Sequence, residues 1–278
     1  MAVTTARHVP LLPLYHGARI PQLGLGTWEL DGRDCERAVG RALELGYRHV
    51  DTAEAYGNEE AIGRAVAASG VGREEVFITS KVWRDHLRHE DVLSACRGSL
   101  RRLGTRYLDL YLVHWPDSSI SLQSTITAMD ELLAAGSIRA WGVSNFTIPH
   151  LEEALELGRP SVDQVELHPR FRQEELDRFC FRNGIGLIAY SPLGHGNVPG
   201  DPEIEAIGRP HGKSAAQVAL RWSIQKGHVV IPKASGEEHL ESNLEVFDFE
   251  LSEDEMARAD ALDRGERLLE PGFAEFDR

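Results

Sequence analysis

The order of secondary-structure patterns constrains this chain more than any single motif does. From residue 34 onwards, segments with apolar residues at helical spacing alternate with short, nearly continuous apolar segments that favour strands. Strands of this kind, separated by helices, are typical of a parallel sheet covered by helices on both faces. Eight of them predict an α/β fold that closes into a (β/α)₈ TIM barrel, and a doubly wound open sheet is the alternative.

Eight strands are predicted, at residues 47–51, 76–81, 107–114, 138–145, 162–167, 185–190, 228–233 and 245–249. Helices are predicted at residues 34–45, 58–69, 90–103, 121–135, 148–157, 173–183, 214–226, 236–243 and 252–262. A hairpin is predicted over residues 8–20, and loops over residues 191–202 and 264–278, the second of them across one end of the barrel. Because a barrel of about 250 residues is one domain, residues 1–278 are expected to form a single domain.

Charge and cysteine usage exclude several kinds of partner and compartment. The formal net charge of −14 argues against a nucleic acid or an anionic membrane as partner. Cys35, Cys96 and Cys180 are scattered and form no CxxC pair, which is typical of free thiols in a reducing compartment. The first residues lack the apolar segment of a secretory leader, so we expect a cytoplasmic protein.

One glycine-bounded segment, residues 46–63, places two polar side chains at the end of a strand. Asp51 ends the predicted strand, Tyr56 lies in the loop that follows, and Asn58 is the predicted N-cap of the next helix. By contrast, the glycines at 24 and 26 do not form a dinucleotide fingerprint, since Glu29 occupies the third glycine position. The pair Asp51 and Tyr56 is therefore the first candidate for a catalytic site.

Further polar residues follow the other predicted strands, at the end of the barrel where active sites of this fold lie. The chain has only four lysines, and two of them fall in this set. The strand-end residues are Asp51, Lys81, His114, Ser144, Asn145, Gln164, Glu166, Tyr190, Ser191 and Lys233.

Four of these groups together suit the protonation of a carbonyl oxygen during hydride transfer. The phenol of Tyr56 is a weak acid, and a neighbouring ammonium such as Lys81 is expected to lower its pKa. Asp51 can hold Lys81 charged and oriented, and His114 can donate a hydrogen bond to the carbonyl oxygen. Because side chains provide no hydride, this chemistry requires a nicotinamide cofactor.

The sequence resembles the aldo-keto reductases through a series of ordered motifs. The matching segments are GYRHVDTAEAYGNEEAIG, ITSKVW, LYLVHWP, WGVSNF, DQVELHP, AYSPLG and VIPK, within residues 9–265. HGKSAAQVALRW and EVFDFELSEDE extend the resemblance to the short bacterial reductases of the 2,5-diketogluconate reductase type. The resemblance implies a barrel enzyme, active as a monomer, that reduces small aldehydes, dicarbonyls or keto-sugar acids with NADP(H) and without a metal.

The resemblance also assigns roles to individual positions. It makes Tyr56 the general acid, Lys81 and Asp51 the pair that tunes its pKa, and His114 the group that orients the carbonyl. It places three tryptophans at the wall of the substrate pocket: Trp28, Trp83 and Trp115. The implied cofactor-binding residues are Ser144, Asn145, Gln164, Tyr190, Ser191, Leu193, Lys233, Ser235, His239 and Asn243.

The cofactor motif departs from the family pattern where the 2′-phosphate of NADP(H) would bind. Lys233 is present, but Ala234 replaces the usual serine and His239 replaces the usual arginine six residues after the lysine. An imidazole that is mostly neutral at pH 7 cannot replace a permanent bidentate charge. We therefore expect use of both NADP(H) and NAD(H), with a modest preference for NADP(H).

Two other functions compete with carbonyl reduction. Lys81 could be a Schiff-base lysine of a barrel aldolase, and the chain could be a nicotinamide-binding redox sensor with little turnover. Ser144 and Asn145 could simply cap the helix that follows. His86, His89 and Glu90 resemble metal ligands only weakly, and we interpret them as a solvated loop and helix start.

Overall fold

The structure, a computed structural model, describes residues 9–277 and begins with a small hairpin. Strand β1 (Leu11–Pro13) pairs antiparallel with β2 (Arg19–Pro21). The turn contains Gly17, whose φ of 89° lies in the left-handed region that favours glycine. The predicted hairpin is confirmed, although its predicted first residue, residue 8, lies outside the described residues.

Eight parallel strands follow and pair in the order in which they occur in the chain. Parallel bridges from Leu23 to Val230 and from Gly26 to Lys233 join the last strand to the first, so the sheet closes. The predicted barrel is confirmed. Its strands are β3 (Leu25–Gly26), β4 (His49–Asp51), β5 (Phe77–Val82), β6 (Leu110–Val113), β7 (Trp141–Ser144), β8 (Val162–Glu166), β9 (Gly186–Tyr190) and β10 (Val229–Val230).

Helices connect these strands and cover the outside of the barrel. No helix within residues 9–277 is both long enough and apolar enough to cross a membrane. The helices are α1 (Gly32–Leu45), α2 (Glu59–Ala68), α3 (His89–Leu103), α4 (Leu122–Ala134), α5 (Ile148–Leu157), α6 (Glu174–Asn183), α7 (Pro202–Gly208), α8 (Ala215–Gln225), α9 (Glu237–Leu244) and α10 (Glu253–Asp260).

One predicted strand is wrong, and one barrel strand was missed. Residues 245–249 lie outside the sheet and begin with a short 3₁₀ helix, Glu245–Phe247, whose carbonyls accept hydrogen bonds from Lys213 and Arg221. The strand that completes the barrel of eight is instead β3, the first barrel strand in the chain. Its residue Gly26 leaves no space for a side chain, since a Cβ there would lie 2.6 Å from the Ile231 carbonyl oxygen.

Local predictions also differ from the structure around two loops. Helix α7 begins at Pro202, the last residue of the predicted loop, and was not predicted. Asn58 does precede α2, but its side chain does not cap that helix. It is buried and instead bonds Thr52, Thr27 and the Leu30 carbonyl, which fixes the loop that carries Tyr56.

Side chains alternate between the inside of the barrel and the layer under the helices, as period two requires. On β6, Leu110 and Leu112 belong to the inner apolar cluster, whereas Tyr111 and Val113 belong to the outer one. On β5, Phe77 points inwards, so Lys81 points inwards as well, at the carboxyl end of the barrel.

The same alternation puts one acid on the outer face of β8. Asp163 is fully buried, and neither of its carboxyl oxygens has a hydrogen bond of ordinary geometry within residues 9–277. Burial raises the pKa of Asp163 well above its usual value, and the nearby backbone N–H of Phe146 offsets this only in part. The folded protein therefore holds Asp163 as a neutral carboxyl group.

Asp163→Asn is expected to stabilise the protein more at alkaline than at acid pH. Folding raises the pKa of the Asp163 carboxyl group. At a pH above the pKa of this group in the unfolded chain, the folded state retains a proton that the unfolded state releases, and this difference lowers the stability of the fold. We expect thermal unfolding at about pH 8 to shift upwards by roughly 3 °C or more. Near pH 4 the gain should largely vanish, and an equal gain at both pH values would contradict a neutral Asp163.

Candidate active site

Three inward-pointing side chains meet at the carboxyl end of the barrel. Lys81 Nζ donates to Asp51 Oδ1 at 2.5 Å and to the Thr52 carbonyl at 2.9 Å, and Gln164 Nε2 donates to Asp51 Oδ2 at 2.7 Å. Lys81 is completely buried and Asp51 nearly so. A buried pair of this kind stays ionised only when its charges and hydrogen bonds are matched, and here both carboxylate oxygens accept a hydrogen bond.

Tyr56 is the fourth side chain of this group, and it lies in the 3₁₀ helix Glu54–Tyr56 after β4. Its Oη lies 3.4 Å from Lys81 Nζ. Burial raises the pKa of Tyr56 above its usual value, and the positive charge of Lys81 opposes this shift without cancelling it. The expected lowering by Lys81 is therefore present but smaller than the effect of burial, and the free protein holds Tyr56 protonated.

The protonation of Lys81 bears on the aldolase alternative. Burial alone would lower the pKa of Lys81, but the negative charge of Asp51 and the hydrogen bonds to Asp51 and Tyr56 raise it above its usual value. Schiff-base formation needs a neutral, accessible amine. Lys81 is charged and inaccessible, so the structure does not favour an aldolase.

His114 packs edge-on against Tyr56 and Trp83, with ring centroids 5.5 and 5.2 Å apart. Burial, and then the charge of Lys81, lower the pKa of His114 well below its usual value, so the imidazole is neutral. Its Nδ1 is buried without a hydrogen-bond partner within residues 9–277. A proton on Nε2 would then be available to a group in the adjoining cavity.

A single cavity of about 990 Å³ joins these residues to most of the other predicted ones. Lys81 is not exposed to it and lies behind Asp51 and Tyr56. The predicted residues that line it are Trp28, Asp51, Tyr56, Trp83, His114, Trp115, Ser144, Asn145, Gln164, Tyr190, Ser191, Leu193 and Lys233.

The middle of the cavity wall is a hydrogen-bonded set of polar side chains. Ser144 Oγ donates to the Gln164 carbonyl at 2.7 Å, Asn145 Nδ2 donates to the His114 carbonyl at 3.0 Å, and Tyr190 Oη donates to Asn145 Oδ1 at 2.8 Å. Asn145 adopts a left-handed φ of 62°, which this network stabilises. Helix α5 is capped by Thr147 rather than by Ser144 or Asn145, so these two side chains are not needed as caps.

The far end of the cavity carries the predicted phosphate site. Lys233 Nζ is exposed and pairs with Glu29 Oε2 at 2.8 Å. Ser235 and His239 are exposed beyond the cavity wall, and Asn243 is buried near the Tyr47 hydroxyl. These three predicted residues do not line the cavity of the free protein.

Residues of the carboxyl-terminal tail also line the cavity, and the sequence did not predict them. Phe273 packs edge-on against Trp83 and Trp115, at centroid distances of 5.6 and 5.4 Å. The tail is held by the buried Glu166, whose carboxylate accepts the backbone N–H groups of Leu268 and Leu269 at 2.8 Å each. The predicted loop over one barrel end is confirmed, but no periodic pattern in it indicated which residues point inwards.

Several polar residues of the wall were also missed as site residues, among them Glu54 and His86. Glu54 and His86 line the cavity beside Tyr56 and Trp83. His86 was interpreted as part of a solvated loop; its side chain is half exposed, and its ring also contacts the Glu54 carboxylate at 3.0 Å. The only signal in the sequence was that Glu54 shares its short loop with Tyr56.

The barrel brings a buried acid, a buried lysine and a partly buried tyrosine together at the end where active sites of this fold lie. The chain belongs to the Aldo/keto reductase family, which it matches over residues 22–264. It is therefore an oxidoreductase of the class that reduces carbonyl groups with NAD(P)H.

Known proteins are similar over nearly the whole chain. Glyoxal reductase of Bacillus subtilis (strain 168) is 45% identical over 258 residues, covering 92% of this chain and 93% of that protein. The crystal structure of a provisionally assigned 2,5-diketo-D-gluconic acid reductase B has a TM-score of 0.93 at 40% identity and covers 97% of each chain. An aldo-keto reductase crystallised with NADPH has a TM-score of 0.91 at 34% identity, covering 96% of this chain and 91% of that chain. The predicted family and branch are confirmed.

Proposed function

We propose that this enzyme reduces small aldehydes, dicarbonyls or keto-sugar acids, with Tyr56 as proton donor and NADP(H) preferred over NAD(H). The observation that carries the proposal is the position of Tyr56, protonated, 3.4 Å from the Lys81 ammonium and in the cavity wall beside the neutral His114. The similarity to a glyoxal reductase supports a dicarbonyl substrate.

The cavity fits a nicotinamide dinucleotide. The aromatic ring of Tyr190 and the amides of Asn145 and Gln164 line its middle, and the Gln164 side-chain oxygen has no partner within residues 9–277 and is free to accept from a carboxamide. Lys233 and the left-handed Ser191 lie at the other end, where a phosphate could bind. When bound, the reduced nicotinamide supplies the hydride for the carbonyl carbon.

The side chains would then act on the carbonyl oxygen. Tyr56 gives its proton to this oxygen as negative charge develops, and the fixed charge of Lys81 stabilises the tyrosinate that is left. Asp51 keeps Lys81 ionised and in place. His114 donates a hydrogen bond from Nε2, which orients the oxygen towards Tyr56 and requires the neutral imidazole described above.

The reaction is tested by following oxidation of NADPH and of NADH with methylglyoxal at saturating cofactor. Turnover with NADPH would support the proposal. Binding of both cofactors without turnover of any aldehyde would contradict it and favour the redox-sensor alternative. Absence of cofactor binding would exclude both functions.

Replacing His239 with Arg is expected to tighten binding of NADPH by roughly tenfold and to leave NADH unchanged, because arginine adds a permanent bidentate charge for a phosphate. Wild type should bind and use NADH as well, since Lys233 is its only predicted phosphate cation and already pairs with Glu29. Fluorescence titration with each cofactor measures both effects. Equal gains for NADPH and NADH, or no gain, would show that His239 is remote from the phosphate.

We also propose that residues 1–278 act as one barrel domain and as a cytoplasmic monomer. Within residues 9–277 the cavity wall is complete in one chain, since the strand ends, the loops and the tail all contribute to it. The cysteines are buried and free, in keeping with a reducing compartment.

A further inference from the structure

A carboxylate lies in the part of the cavity that is otherwise lined by aromatic rings. Glu54 is separated from Tyr56 by one residue, and its side chain is only 11% exposed. One oxygen, Oε1, accepts the backbone N–H of Trp83 at 2.5 Å and contacts His86 Nδ1 at 3.0 Å. These two contacts fix the carboxylate in the wall between the proton donor and an aromatic wall residue.

The second oxygen of this carboxylate is not used by the protein. Glu54 Oε2 has no hydrogen-bond partner within residues 9–277, and both Glu54 and His86 line the cavity. With Nδ1 turned towards Glu54, the His86 ring has Nε2 left for another contact. The cavity thus offers a substrate one charged acceptor and one imidazole nitrogen beside Tyr56.

A charged acceptor of this kind selects among carbonyl compounds. A hydroxyl group can donate to Oε2 in a charge-assisted hydrogen bond, which is stronger than one between neutral groups. A substrate carboxylate would instead be repelled, in a chain whose net charge is already −14. A purely apolar aldehyde would leave Oε2 without a partner once water is displaced, which is costly.

We propose that Glu54 and His86 form a subsite for substrate hydroxyl groups, so that neutral hydroxyaldehydes and hydroxyketones are preferred over carboxylate-bearing carbonyl compounds. The inference rests on the proposed carbonyl reduction and narrows its substrate class. Within that class it disfavours the keto-sugar acids.

The test compares three substrates in wild type and in Glu54→Gln with NADPH. Glyceraldehyde and propanal have the same carbon chain and differ in their hydroxyl groups, and glyoxylate carries the negative charge. The glutamine side chain of this variant keeps an oxygen for the contacts with Trp83 and His86, but it presents a neutral NH₂ group in place of the charged Oε2. Glu60→Gln, an exposed position outside this cavity, is the matched control for loss of one charge.

We expect Glu54→Gln to lower kcat/KM for glyceraldehyde by roughly tenfold, mainly through KM, the effect of one charge-assisted hydrogen bond. In the same variant, kcat/KM for propanal should fall much less and kcat/KM for glyoxylate should rise. Glu60→Gln should have the kcat/KM of wild type for all three substrates. His86→Ala, which leaves Glu54 in place, should lower glyceraldehyde turnover by about threefold and serves if the first variant folds poorly.

Three results would overturn the subsite. Parallel losses with glyceraldehyde and propanal would mean that Glu54 only supports the loop of Trp83. Unchanged glyceraldehyde kinetics would mean that Glu54 does not contact the substrate, and a loss with glyoxylate would mean that the pair binds anions. Failure of wild type with all three substrates would instead refute the proposed reaction itself.

Discussion

Replacing Tyr56 with phenylalanine is expected to lower the turnover of methylglyoxal by about 10³-fold or more. A loss of this size is expected because a positioned general acid contributes a rate factor of this order. The variant lacks only the hydroxyl that lies 3.4 Å from Lys81. The ring that packs against His114 is retained, so cofactor affinity and folding should change little. Turnover and NADPH titration on the same preparation separate the two effects.

The matched control for this variant is Tyr15→Phe. Tyr15 is 63% exposed on the hairpin turn and does not line the cavity, and the variant loses the same hydroxyl. It should retain the turnover of wild type. If Tyr56→Phe also retained it, another group would have to supply the proton.

Lys81→Met is expected to abolish turnover and also to destabilise the fold. Removing one partner of a buried ion pair leaves an uncompensated charge, which costs about 3–5 kcal/mol. Here the remaining charge is Asp51, which among residues 9–277 would keep only Gln164 as a hydrogen-bond donor. Thermal unfolding and turnover measure the two losses separately.

A double variant, Asp51→Asn with Lys81→Met, distinguishes catalysis from folding. It removes both charges, so it should recover much of the lost stability. It should not recover turnover, because no ammonium then stabilises the tyrosinate of Tyr56. Recovery of turnover together with stability would show that the Lys81 charge is needed for folding alone.

The sequence predicted the barrel from its alternating strands and helices, and it predicted that Asp51, Lys81 and Gln164 lie close together because the carboxyl ends of the strands meet at one end of a barrel. The structure places Lys81 on β5 and Gln164 on β8, and both side chains contact Asp51. Strand β3 was missed because it has two residues and its glycine is required by close contact with Ile231, which no pattern reveals. Residues 245–249 include the β-branched and aromatic residues that favour strands, but the segment packs outside the sheet.

The properties that the sequence could not provide are those set by tertiary contacts. Lys81 was expected to lower the pKa of Tyr56, but the burial that outweighs it depends on residues from several strands and loops. Phe273 and the tail belong to the cavity only because Glu166 holds two of their backbone N–H groups. Ser235, His239 and Asn243 were placed by resemblance alone and lie beside the cavity rather than in it.

The most direct measurement is single-turnover oxidation of pre-bound NADPH after rapid mixing with methylglyoxal, in wild type and in Tyr56→Phe. Because the cofactor is bound beforehand, the rate reports hydride and proton transfer without cofactor association. We expect rapid oxidation in wild type and a rate lower by about 10³-fold in the variant with the same amount of NADPH bound. Equal rates in the two proteins would contradict Tyr56 as the proton donor.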